Sequence, residues 1–140
     1  MRLCLIAVIA AVTPTLGSAD EAQDARAVVE AAYVQGVHAS FSADAMRRGF
    51  HPDFRMYTLR DGALSYVTRD EWIARLEKRA AEASPRSQIK ADYPLVDVTG
   101  NTAVVRVELH RDGKHVFTDY LSLYRFADGW KIVAKVFQAR

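Results

Sequence analysis

Three charged side chains, Arg106, Glu108 and Asp119, have the types and spacing that acid–base chemistry needs. If Asp112-Gly113 is a two-residue hairpin loop, Arg111 stands opposite Lys114. Counting back then sets Arg106 opposite Asp119, with Glu108 one step along the same face. An arginine can hold one carboxylate in a bidentate pair while a second, kept dry, has its pKa raised and acts as acid or base. The same trio also makes a purely structural ion pair.

Other residues offer weaker chemistry. His51, between Phe50 and Pro52, can titrate near neutrality at the entry to a strand, or brace the turn there. Phe54, Tyr57 and Trp72 can line an aromatic ligand pocket, with Tyr33 closing it from the first helix and Phe117 reaching it from the sheet; core packing explains the same residues. His110 and His115 fall opposite each other beside Asp112-Gly113, which makes half a metal site. Catalytic zinc needs three protein ligands, so no metal is expected.

The elements that must position these residues are legible. Ala25, Val28, Val29, Ala32 and Tyr33 recur at helical spacing from Asp20 to about His38, and Ser42 can cap a short helix that Gly49 ends. Phe54–Arg60 and Ala63–Val67 flank Asp61-Gly62, a hairpin signal. Thr68-Arg69-Asp70-Glu71 has the capping-box pattern and opens a third helix with the stripe Trp72, Ile73, Leu76 and Ala80, stopped at Ser84-Pro85. Four strand-like runs follow, at 88–98, 102–111, 115–126 and 130–138, separated by Gly100-Asn101, Asp112-Gly113 and Asp128-Gly129. The order predicts one α+β domain, three N-terminal helices on a curved sheet.

Two-residue loops throughout fix the faces by counting. One face then collects Leu95, Arg106, Glu108, Phe117, Asp119, Leu121 and Leu123. The other collects Val105, Val107, Tyr120, Tyr124, Val133, Lys135 and Phe137. Neither is polar, so both should be covered. The first is expected to meet the helices and a pocket. The second, with Tyr120, Tyr124, Val133, Lys135 and Phe137, is expected to form a homodimer interface, although the reverse assignment also fits. Lys135 is the odd charge there and can pair across the dimer or snorkel to its edge.

The whole chain narrows the function classes. Its 140 residues carry 19 basic and 17 acidic side chains without a basic block, which argues against nucleic acid. Met1-Arg2, the apolar run Leu3–Val12 and the small residues Gly17 and Ala19 read as a signal peptide over residues 1–19, too short to span a bilayer. Cleavage would leave residues 20–140, exported to the periplasm or secreted, without membrane attachment and without the single cysteine, Cys4. Thiol catalysis and cysteine metal sites are thereby excluded.

Helices, hairpin, helix and a long meander ending in Gly129-Trp130-Lys131-Ile132 resemble the nuclear transport factor 2-like (SnoaL-like) superfamily of cone-shaped domains, over nearly all of residues 20–140. Within it, Phe50-His51-Pro52 and Phe117–Leu123, followed by Trp130–Phe137, look like the group labelled putative lumazine-binding proteins. The superfamily includes isomerases, dehydratases, hydrolases, cyclases and simple binders, so the resemblance implies the fold more than a reaction. Its limonene-type epoxide hydrolases are similar in using two carboxylates and an arginine on the sheet face, whereas Glu108 follows the arginine here in a different place. The expected function is an exported, dimeric binder of a small, partly apolar organic molecule. The alternatives are a cofactor-free hydrolase or isomerase using Asp119, Glu108 and Arg106, and a protein interaction module.

Overall fold

The apolar periodicity after Asp20 does form a helix, with one departure in its winding. The computed structural model describes residues 16–82 and 85–140, so the expected leader lies outside the described residues up to residue 15. α1 (Leu16–Val28) runs on into a π-helical segment, Val29–Ala39. That segment is buried around much of its circumference, through Val29, Ala32, Tyr33, Val34, Gly36 and Val37. Its wider turn ends where the Ser40 N–H donates to the Gln35 carbonyl at 2.8 Å.

Ser42 caps α2 (Ala43–Gly49), its hydroxyl accepting from the Ala45 N–H at 3.1 Å. This short helix lies almost in backbone contact with the π-helical segment. A Cβ added to Gly49 would stand 2.2 Å from the Ala32 Cβ, and one added to Gly36 would stand 2.8 Å from the Ala45 Cβ. Glycine at both positions permits the approach.

β1 (Phe50–Arg60) starts directly after Gly49, four residues ahead of the expected Phe54. It turns into β2 (Ala63–Thr68) through Asp61 and Gly62, both at positive φ as a tight hairpin loop requires. α3 (Arg69–Ala81) carries the full capping box: the Thr68 hydroxyl accepts from the Glu71 N–H at 3.2 Å, and the Thr68 N–H donates to Glu71 Oε2 at 2.8 Å. The Thr68 amide, then its hydroxyl, hold the Glu71 carboxyl below its ordinary pKa. A folded-state pKa that is depressed adds stability above the ordinary carboxylate range and loses it as pH falls through the lowered value. Glu71→Gln should therefore flatten the early part of the acid-unfolding curve, followed by far-ultraviolet circular dichroism.

The strands β3 (Ile89–Thr99), β4 (Thr102–Arg111), β5 (Lys114–Phe126) and β6 (Gly129–Ala139) complete one six-stranded sheet in the order β2-β1-β6-β5-β4-β3. Among the described residues only β1 and β6 pair in parallel. The three helical elements pack on one face of this mixed sheet, giving the expected α+β cone. Its core joins Val29, Tyr33 and Val37 to Phe50, Phe54, Leu76, Val105, Val107, Leu109, Leu121, Leu123 and Ile132.

Two bulges correct the counted register. Arg111 does face Lys114 and His110 faces His115, but Leu109 then pairs with Phe117, leaving Val116 as an extra residue. Beyond it Arg106 faces Tyr120, and Asp119 faces Val107, so Arg106 and Asp119 project from opposite faces. The last turn is Ala127-Asp128 rather than Asp128-Gly129, because Phe126 pairs with Gly129; Val133 then forms the second bulge, and Leu121 faces Lys135 instead of Val136. The physical reason is burial. Val105, Val107 and Leu109 alternate with Arg106 and Glu108 along β4, and only a one-residue slip puts those three on the same side as Leu121 and Leu123.

The faces are therefore re-sorted. Asp119, Lys135 and Phe137 turn toward the helices, whereas Arg106, Glu108, Tyr120 and Tyr124 turn away from them. Within this single chain the outer face is uncovered: Leu95 is 44%, Tyr120 41%, Tyr124 47% and Val136 51% exposed.

Candidate functional site

Beneath the helices lies a charged pair in an apolar box. Lys135 Nζ is 2.9 Å from Asp119 Oδ1, an ion pair, and both side chains are buried. The Tyr33 hydroxyl donates to the other oxygen, Oδ2, at 2.8 Å. Around the ammonium stand the rings of Phe137, Tyr33, Trp72 and Phe117, with centroids 4.1, 5.0, 5.5 and 5.7 Å from Nζ. Met56 Sδ lies 3.9 Å away. Such ring faces attract a desolvated cation, which offsets part of the loss of hydration.

Local structure explains why these residues meet. The two bulges swing Asp119 and Lys135 inward on adjacent strands. Trp72 is fixed at the start of α3 by the capping box and is stacked on Phe54, with ring centroids 5.8 Å apart, while Phe50 meets it edge-on at 5.8 Å. Tyr33 comes from the π-helical segment. Burial pushes the Tyr33 phenol well above its ordinary pKa, and the Asp119 carboxylate pushes it further. Burial lowers the Lys135 ammonium, against the pull of Asp119.

His38 forms the wall next to this box. Five residues after Tyr33, it is brought against that ring by the π-helical spacing, edge to face at 4.8 Å. Its Nε2 is buried and has no hydrogen-bond partner among the described residues. Burial lowers its pKa to about 3, and the nearby cations Lys135, Arg111 and Arg79 add to the effect. On its outer side His38 lines a cavity of about 120 Å³ with Phe41, Arg79, Glu82, Pro85, Ser87 and Arg111. A larger groove of about 560 Å³ runs between α1 and β3 at Arg26, Glu30 and Val96. It is open to solvent; Arg26 lies 4.5 Å over the Tyr93 ring, and Glu30 accepts from Tyr93 and Gln35. The smaller mouth, next to the buried pair, is the better candidate site.

Of the residues picked from the sequence, Tyr33, Phe54, Trp72, Phe117 and Asp119 do come together. Arg106 and Glu108 pair with each other at 2.7 Å on the outer face, away from Asp119. Tyr57 packs across from Tyr66 on that same face, ring centroids 6.1 Å apart, and takes no part in the box. His51 stacks on Phe126 at 4.7 Å and accepts from the Asp53 N–H, the turn-bracing role; it lines a separate cavity with Arg47, Arg69 and Lys131. His110 and His115 face each other with rings 5.1 Å apart, and His115 Nε2 is committed to the Phe117 carbonyl at 2.9 Å. Of the residues assigned to the dimer face, Tyr120 and Tyr124 lie on it, Val133 is the bulge residue, and Lys135 and Phe137 belong to the interior.

Counting missed Lys135 as a site residue and passed over His38, Phe41, Arg79 and Arg111. A signal for Lys135 was present: an ionisable residue in an otherwise apolar strand run, Ile132–Phe137, needs a buried partner or an edge. For His38 there was none, because α-helical spacing does not align it with Tyr33.

Similar solved structures share this architecture. A nuclear transport factor 2-like protein of unknown function from Silicibacter pomeroyi DSS-3 is 28% identical with a TM-score of 0.68, over 87% of this chain and 98% of that one. An NTF2-like protein of unknown function from Shewanella baltica OS155 is 21% identical, TM-score 0.67, over 84% and 94%. A cystatin-like fold protein from Burkholderia xenovorans LB400 is 24% identical, TM-score 0.62, over 89% and 93%. The likenesses below 25% identity speak to the fold alone. No curated protein matches the chain. Residues 20–138 match the model of the family described as "Putative lumazine-binding", which covers the cone from α1 to β6, and the chain belongs to that family.

Proposed function

We propose that this chain is an exported, dimeric domain that binds a small organic molecule at the His38 mouth, above the Tyr33–Asp119–Lys135 box. The observation that carries the reading is the buried ion pair. Apolar residues of similar volume would hold a core at least as well as a charged pair, so a pair kept in an aromatic box beside a cavity is better explained by a ligand than by stability. Both Asp119 oxygens are engaged, one by Tyr33 and one by Lys135, which favours recognition over proton abstraction. Lys135 supports a second reading, acid–base catalysis, because burial lowers its pKa.

Dimerisation rests on the outer face. Leu95, Arg106, Tyr120 and Val136 stand in one row across four strands, and Leu59 and Leu64, 72% and 69% exposed, extend the apolar surface onto β1 and β2. A second copy of this chain is the simplest cover, since a two-fold contact buries the same patch on both copies. Native mass spectrometry of protein purified from its own host's extract tests both parts. Twice the protomer mass plus a retained organic molecule is expected, with Val136→Glu giving a monomer. An empty protomer would sink the proposal.

A further inference from the structure

The mouth beside His38 gathers positive charge around a small cavity. Arg79 and Arg111 line it, and the Arg79 and Arg86 guanidinium carbons lie 4.5 and 4.0 Å from the Phe41 ring centroid. None of these three arginines has a carboxylate within ion-pair distance among the described residues, a state they share with Arg26, Arg48, Arg55, Arg60 and Arg75, but only at this mouth do such arginines gather around one small cavity beside a histidine. Glu82 is the acidic member of the lining. Phe41 itself has φ of 53°, in the left-handed region that a bulky side chain rarely occupies. Backbone strain of this kind persists where the surroundings over-determine it, and it clusters at ligand clamps. His38, which lines the same cavity, has a buried Nε2 with no hydrogen-bond partner among the described residues.

We propose that this mouth takes a small aromatic carboxylate, its oxygens held by Arg79, Arg111 and the Nε2–H of His38, and its ring in the cavity between His38 and Phe41. The assignment rests on the small-molecule reading above and adds the ligand's chemical class. Guanidinium groups match a planar carboxylate in a way that a point charge does not, which favours a carboxylate over a halide or an amine. The cavity of about 120 Å³ suits one ring rather than a fused system. His38, held neutral, offers a donor without adding a charge that Glu82 would have to share.

The test uses the full chain labelled with nitrogen-15 at histidine, titrated with benzoate and with benzamide, its neutral counterpart. Benzoate is expected to move the ring signals of His38 and leave those of His51, His110 and His115 in place. Benzamide should bind at least tenfold more weakly, and Arg79→Gln and Arg111→Gln should each weaken benzoate by a similar factor, with Arg60→Gln, an exposed arginine on β1, leaving it unchanged. Equal binding of the two probes, or a like loss in Arg60→Gln, overturns the anion assignment and leaves small-molecule binding standing. If neither probe binds, the assignment also falls. A ligand retained from the host extract in that case keeps the broader reading, and an empty protein removes both.

Discussion

Asp119→Ala lowers the stability of this domain by about 3–5 kcal/mol, because it strands the Lys135 ammonium in an apolar box without its counter-charge. Tyr33 loses its acceptor in the same step, and a buried hydroxyl without a partner adds to the penalty. Removing both charges is a different matter. Asp119→Leu combined with Lys135→Met restores most of the loss, since an apolar pair fills the box without desolvating any ion. Equilibrium unfolding in urea of Asp119→Leu, Lys135→Met and the double variant measures this coupling directly. A double variant as unstable as Asp119→Ala would mean that the pair holds the fold rather than the site. One further substitution at the same carboxylate separates the two functional readings. Asp119→Asn ends turnover in an acid–base enzyme, whereas a binder has no turnover to lose.

Gly49→Ala is the second large effect. The added methyl would lie 2.2 Å from the Ala32 Cβ, and that atom sits on a helix whose own backbone cannot retreat, the Ala32 Cα being only 3.6 Å away. Overpacking of this severity costs about 3 kcal/mol. α2 must then lift off the π-helical segment, so the strand entry at Phe50 and its contact with Trp72 loosen as well. Ala32→Gly in the Gly49→Ala background opens the space again and should recover part of the loss in thermal unfolding. No recovery would place the damage in strand entry instead of helix contact.

Much of this architecture is written in local patterns. The helical periodicity after Asp20, the Ser42 cap, the Thr68–Glu71 box and the Asp-Gly loops at 61–62 and 112–113 each state their structure within a few residues, and each appears where expected. What failed was arithmetic carried across strands. A bulge adds one residue with no composition of its own, and a single added residue reverses every side chain beyond it. The bulges thereby place Arg106 and Asp119 on opposite faces and set Lys135 in the core instead of on the outer face. The competing signal was the alternation of Val105, Val107 and Leu109 with Arg106 and Glu108, which on burial grounds outranks turn counting. The π-helical winding was the other hidden element. It made His38 a neighbour of Tyr33, a relation that spacing rules for an ordinary helix exclude.

Sheet order has a consequence for how the chain reaches its native state. β6 sits between β1 and β5, although it follows both in sequence. Until translation has passed Ala139, the β1–β2 hairpin and the β3–β4–β5 meander are two fragments with no common strand, and both Asp119 and Phe50 lack their partners on β6, Phe137 and Ile132. Cotranslational folding is therefore confined to local pieces, and assembly waits for a long-range parallel pairing, which is a slow kind of step. A chain truncated before Gly129 loses its keystone rather than its fringe, so nonsense products of this domain should be degraded instead of persisting as partly active forms.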